Sequence, residues 1–153
     1  MPAEPGNEPE ADSAGCRIAE VVDGAISMAT LRAVVAGDGQ GAIVAFEGVV
    51  RDHDNGEAVS WLRYTAHPSA QTALQAVAET VAERFTEVAV AVQHRIGLLQ
   101  IGDVALGCAV ASAHRATAFA ACAALVDEIK AQVPIWKEQG FEDGHTEWVA
   151  ALG

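Results

Sequence analysis

Lysine is nearly absent from this sequence. Only Lys130 and Lys137 carry a side-chain amine among 153 residues, and the other seven bases are arginines scattered from Arg17 to Arg115. Aromatics are scarce too, at 5%. The three cysteines, Cys16, Cys108 and Cys122, form no C-x-x-C pair, and none of the five histidines has H-x-x-x-H or comparable spacing. The common zinc and dithiol motifs are thereby excluded, and neither a metal nor a cofactor is expected. Cys108 sits in an apolar run and Cys122 in an alanine-rich one, so both read as small buried hydrophobes, with thiol catalysis as the alternative. No stretch approaches the roughly 18 uninterrupted apolar residues of a membrane span. The N-terminus lacks the basic-then-apolar order of a signal peptide, so a cytoplasmic protein is expected. No repeat of solenoid length occurs.

What is present is acid and apolar surface. The formal charge is −12, and 51% of residues are hydrophobic. Residues 1–15 hold four of the 21 acids and none of the nine bases, which leaves −8 on the remainder. Such a body repels nucleic acid and anionic lipid, so neither is expected as a partner. An anionic ligand would have to be held by a local cluster of bases.

"MPAEPGNEPEADSAG" has Pro, Gly and acids without apolar periodicity, so residues 1–15 read as a disordered acidic tail ahead of a single domain over 16–153. "SMATLRAVVA" has a capping Ser27 and helical spacing at Met28, Leu31, Val34 and Val35. "AIVAFEGVV" reads as a buried strand, "DNG" at 54–56 as a tight turn and "AVSWLRYTA" as its antiparallel partner. A helix is expected from Pro68 to about Phe85, then strands at "EVAVAVQHRIG" and "VALGCAVASA" with a reversal at "LLQIGD". "TAFAACAALVDEIKAQV" reads as a helix ending before Pro134, whose ring disfavours a helical residue at Val133. A short strand at "TEWVAAL" would close the chain. This order predicts an α+β domain with a largely antiparallel sheet and packed helices.

Bases gather at three element ends. Arg51 lies at the mouth of the expected hairpin, and His114 and Arg115 lie where a strand becomes a helix. A helix N-terminus is already partially positive, so cations there are mildly unfavourable unless an anion lies between the amides and the guanidinium. The alternative is that both side chains face water or that Arg115 pairs with an acid. Lys130 ends the same helix, where a cation complements the dipole, and Lys137 lies beyond the proline. A continuous helix would set the two amines about 10 Å apart on one face. Stopped at Pro134, the chain can turn back and bring Lys137 toward Lys130 or toward the sheet. Desolvation and a neighbouring cation both lower a lysine pKa toward the range useful for proton transfer or nucleophilic attack.

"GAIVAFEGVVRDHDNG", "HRIGLLQIGD", "ASAHRATAF" and "IKAQVPIWKEQ", in this order and spacing, resemble the large, catalytic subunit of molybdopterin synthase over about Ala25 to Val149. The resemblance implies an α/β-hammerhead homodimer with a small ubiquitin-like subunit at each end. It implies a sulfurtransferase that turns cyclic pyranopterin monophosphate into molybdopterin, with sulfur supplied as a thiocarboxylate on the small subunit's C-terminal glycine. Lys130 and Lys137 match the family's catalytic lysines. Arg51, His114 and Arg115 match its anion- and pterin-binding residues, with His114 and Arg115 reaching a site shared with the other protomer. Three positions depart from the pattern. Glu138 and Gln139 follow Lys137 where a base and then a glutamate are usual, and Ser69 replaces a common methionine. A non-catalytic anion-binding or scaffold module of the same fold is the alternative.

Overall fold

The computed structural model describes residues 14–150. The tail expected over 1–15 lies outside them apart from Ala14 and Gly15, and Gly15 already opens the first strand. In chain order the elements are β1 (Gly15–Val22), α1 (Met28–Val35), β2 (Ala42–Val49), β3 (His53–Asp54), β4 (Glu57–Ala66), α2 (Ala70–Arg84), β5 (Ala89–Arg95), β6 (Gly97–Leu99), β7 (Val104–Ser112), α3 (Arg115–Gln132), β8 (Ile135–Phe141) and β9 (Thr146–Ala150). The α+β expectation holds, and among the described residues every strand pair is antiparallel except β1 with β5.

The strands form two sheets. One has the order β1-β5-β7-β2, the other β3-β4-β8-β9 with β6 also paired to β4. Strand β5 explains how the first sheet is covered on both sides. Its residues alternate between Ala89 and Ala91 on one face and Val90 and Val92 on the other, and all four are fully buried. The alanine face, with Ala109 and Ala111 of β7, admits Leu31 and Val35 of α1. The valine face, with Cys108 and Val110, receives Leu74 and Val81 of α2 and Leu125 and Ile129 of α3. A strand buried on both faces carries no polar alternation, which is why this stretch reads as a continuous apolar run. Helix α1 starts as its sequence suggests, with the Thr30 amide donating to Ser27 Oγ at 3.2 Å.

The expected long hairpin is corrected. Asn55 and Gly56 do make a tight turn, at φ of 50° and 79°, the positive values a type I′ turn requires. That turn joins only the two-residue β3 to β4, in the register His53↔Ala58 and Asp54↔Glu57. Strand β2 pairs with β7 instead, and β4 pairs with β8, so "AIVAFEGVV" and "AVSWLRYTA" lie in different sheets. The segment after Pro134 is also a regular strand, β8, held between β4 and β9. Nothing in the sequence reading marked β1, which takes its register from the edge of β5.

Candidate active site

Helix α3 buries Ala118, Ala121, Cys122, Leu125 and Ile129 against the first sheet, which leaves Lys130, next along, exposed in its last turn. Val133 then goes extended, its amide closing the helix on the Ile129 carbonyl at 3.0 Å, and β8 begins at Ile135. Within β8, Ile135, Lys137, Gln139 and Phe141 share one face and Trp136 and Glu138 the other. The first face is the inner one, because Ile135, Gln139 and Phe141 are buried. Lys137 stands opposite Tyr64 and Gln139 opposite Leu62, both buried residues of β4. The chain reversal at Pro134 thus turns Lys137 inward, half-buried, toward the end of α3.

Arg51 joins this cluster from the segment between β2 and β3. Its Nη2 lies 3.4 Å from Asp54 Oδ1, and Gln139 Nε2 donates to Asp54 Oδ2 at 2.8 Å. Burial, the largest influence, lowers the Lys137 amine below its ordinary pKa. Asp54 opposes that shift, and the Arg51 and Lys130 cations add to it. Both effects anticipated for an amine in this stretch, desolvation and a neighbouring cation, act on Lys137.

A pocket of about 130 Å³ adjoins Lys130, lined also by Tyr64, His94, Phe46, Val49 and Leu106 among others. Burial pushes the Tyr64 phenol up to about 12 and the His94 imidazole down to about 4, so both are neutral near pH 7. Their rings meet edge-on, 5.3 Å between centroids.

His114 and Arg115 are elsewhere in the chain. They are exposed at the N-terminus of α3, beside Gly41 and Ala42, in an open concavity of about 460 Å³. His114 is the N-cap residue, but its side chain makes no capping hydrogen bond. From Arg115 to Lys130 the helix rises roughly 22 Å at 1.5 Å per residue. Of the five candidate residues, a single chain therefore gathers Lys130, Lys137 and Arg51 and leaves His114 and Arg115 at the opposite end of α3. Asp54, Gln139, Tyr64 and His94 join the first group without having been singled out as site residues. Glu57, His145 and Glu147 also place ligand-type atoms within 4.8 Å of one another. All three are exposed, and His145 already reaches both carboxylates at 3.4 and 3.5 Å.

Neither Cys108 nor Cys122 lines the pocket beside Lys130. Burial raises the pKa of Cys108, with Cys122 adding to it, and burial raises Cys122 as well.

The class this defines is an α+β chain of two sheets and three helices with two amines and a guanidinium gathered at one end of its third helix. Comparison with known proteins narrows that class. Residues 21–132 match the family described as MoaE protein, so the chain belongs to that family. The molybdopterin synthase catalytic subunit of Halalkalibacterium halodurans is 43% identical over 110 residues, 71% of this chain and 70% of that protein. Molybdopterin synthase catalytic subunit 1 of Mycobacterium tuberculosis is 39% identical over 135 residues, 88% of this chain and 89% of that one. Among solved structures, molybdopterin synthase from Staphylococcus aureus superimposes with a TM-score of 0.80 at 36% identity, covering 86% of this chain and 96% of that one. A complex of subunits 1 and 2 of molybdopterin-converting factor from Helicobacter pylori shares the fold, with a TM-score of 0.67 at 20% identity over 86% of this chain and 88% of that one. No helix among the described residues is long and apolar enough to cross a membrane.

Proposed function

We propose that this chain is the catalytic subunit of a molybdopterin synthase. It would move sulfur from the thiocarboxylated C-terminus of a small ubiquitin-like subunit to cyclic pyranopterin monophosphate, forming the dithiolene of molybdopterin. The observation that carries this is the convergence of both lysines of the chain with Arg51 at one end of α3, where Lys130 lines a pocket, in a protein of net charge −12. Donor and acceptor are both anionic, and an acidic protein holds two anions together only where its few cations are concentrated.

Lys130, on a helix whose buried face fixes it, stabilises charge at the donor carbonyl as sulfur leaves, or moves a proton in the same step. Lys137, with its lowered pKa, is the amine suited to give and take a proton. Arg51 holds an anionic group and is itself steadied by Asp54. His114 and Arg115 bind the substrate phosphate in a homodimer, contributed by the second copy because their own α3 carries them away from the lysines. The active assembly is then two copies of this chain with two small subunits.

Reconstitution tests the reading. The purified protein, incubated with thiocarboxylated small subunit and cyclic pyranopterin monophosphate, should yield molybdopterin. Binding of the small subunit without product would instead assign a non-catalytic scaffold.

A further inference from the structure

His94 stands on β5 with its ring fully buried, on the same face as Val92 and Val90. Its two nitrogens are not equivalent. Nδ1 lies 2.9 Å from the Arg95 carbonyl oxygen. A carbonyl only accepts, so Nδ1 carries the hydrogen and donates it. The ring has no second proton at neutral pH, because burial holds its pKa far below the ordinary value of 6.5. Nε2 is therefore a bare acceptor, and it has no hydrogen-bond partner among the described residues although it is buried. The neighbouring Tyr64 ring meets it edge-on and offers apolar contact. Buried acceptors without a donor are rare and costly, so this one calls for a donor from the pocket it lines.

The pocket limits what that donor can be. At about 130 Å³ it is well under the roughly 300–1,000 Å³ of sites that enclose a whole small molecule. Its walls combine apolar Phe46, Val49, Ala105 and Leu106 with Tyr64, and His94 and Lys130 are the acceptor and the cation. A thin chain end satisfies both. A terminal peptide unit carries an N–H donor and, one carbon further, a carbonyl or carboxylate-type anion. A phosphorylated fused-ring compound is bulkier and brings its charge on oxygens that a bare acceptor would repel.

We propose that His94 Nε2 accepts the hydrogen bond of the last peptide N–H of the small subunit's tail, while Lys130 faces the terminal thiocarboxylate. The assignment rests on the function proposed above and adds a tail-reading residue to it. His94 reads the chain end through the one donor that every such tail presents just before its reacting group, and so sets how deep the tail sits against Lys130.

The test removes the hydrogen from the ligand as well as the acceptor from the protein. Small subunit is made by semisynthesis with its last peptide bond either normal or N-methylated, and calorimetry measures binding to wild type, His94→Gln and His94→Leu. Glutamine returns an acceptor oxygen close to the place of Nε2, whereas leucine returns none. N-methylation should weaken binding to wild type about tenfold, the loss expected for one buried hydrogen bond. His94→Leu should weaken the normal tail about as much and show no further loss with the methylated one, and His94→Gln should recover most of the affinity. Equal binding of the two tails to wild type would overturn the role of His94 and leave the functional proposal standing. Independent, additive losses would also overturn it, since they mean that the variant acts through packing. Failure of wild type to bind the normal small subunit at all would overturn the functional proposal and this one with it.

Discussion

Gln139 donates from Nε2 to Asp54 Oδ2 at 2.8 Å, joining the middle of β8 to the tight turn 85 residues earlier. The other Asp54 oxygen faces Arg51 at 3.4 Å, so a single carboxylate couples the Lys137 strand to the Arg51 segment. The family resemblance implies a glutamate two residues after the second lysine; this chain has the amide Gln139 there, and Asp54 lies beside it as the acid.

The pair is therefore predicted to tolerate exchange but not duplication. Gln139→Glu alone sets a second carboxylate against Asp54 in a buried position and should cost about 1–3 kcal/mol in urea unfolding. Asp54→Asn with Gln139→Glu exchanges the amide and the acid, and should recover most of that loss. A double variant no more stable than Gln139→Glu would show that the contact does not hold the turn to β8.

Lys137 should titrate below an ordinary lysine. With only two lysines in the chain, NMR of ε-carbon-labelled protein resolves each amine directly. Asp54→Asn should lower the Lys137 pKa further, because it removes the one influence that favours the ammonium, and Arg51→Ala should raise it. A Lys137 pKa unmoved by both changes would mean that the amine swings clear of the site in solution.

Much of the scaffold was legible and most of the site's second half was not, for local reasons. Ser27, Pro134 and the period of Leu74, Val77 and Val81 act within a turn or two of the helices they delimit, so those helices could be read directly. The Asn55–Gly56 turn is equally local, but the partner of β2 is not. An apolar strand pairs with whichever neighbour the helices leave beside it, and that is β7 rather than β4. The run "IWKEQGF" shows no alternation of apolar and polar residues and follows a proline, so it is recognisable as a strand only once β4 and β9 are seen to flank it. Lys130, Lys137 and Arg51 stood out through rarity and position. Asp54, Gln139, Tyr64 and His94 look ordinary in sequence, as a turn acid, a substituted glutamate and two strand residues. They become site residues through contacts between different sheets and strands.

A mixed dimer should show whether the two ends of α3 serve one site. Chains carrying His114→Ala with Arg115→Ala, and chains carrying Lys130→Ala, should each be inactive as pure dimers. Unfolded together and refolded, they should regain about a quarter of wild-type turnover, because half the dimers are mixed and each mixed dimer holds one intact site. Light scattering at micromolar concentration should give a dimer throughout. A monomer, or no regain on mixing, would remove the shared site.

His94 should make the fold sensitive to acid. Its folded pKa of about 4 lies below the ordinary 6.5, so between those values the unfolded chain binds a proton that the folded one refuses. The neutral ring's contribution is whole above pH 6.5 and declines as pH falls toward 4, by on the order of 3 kcal/mol at most. Urea unfolding at pH 7 and at pH 4.5 should therefore differ more for wild type than for His94→Leu, which has nothing to protonate there. Parallel pH dependence in the two proteins would contradict the buried neutral ring.

Lys130→Ala should abolish product formation while leaving the fold intact, because Lys130 is exposed beside a buried helix face that does not need it. Lys137→Ala should weaken substrate use as well, since its half-buried stem lies inside the cluster with Asp54 and Arg51. Losing an amine that stabilises transition-state charge costs on the order of 3–4 kcal/mol, a hundredfold or more in rate. Single-turnover assays with preloaded thiocarboxylate isolate that step from reloading of the donor. Lys130→Arg keeps the charge but replaces a compact ammonium with a planar group that cannot release a proton near neutral pH, so it should not rescue. Near-wild-type turnover in Lys130→Arg would rule out proton transfer by this amine and leave it a charge-holding role alone. Proton exchange would then fall to Lys137, whose lowered pKa already suits it.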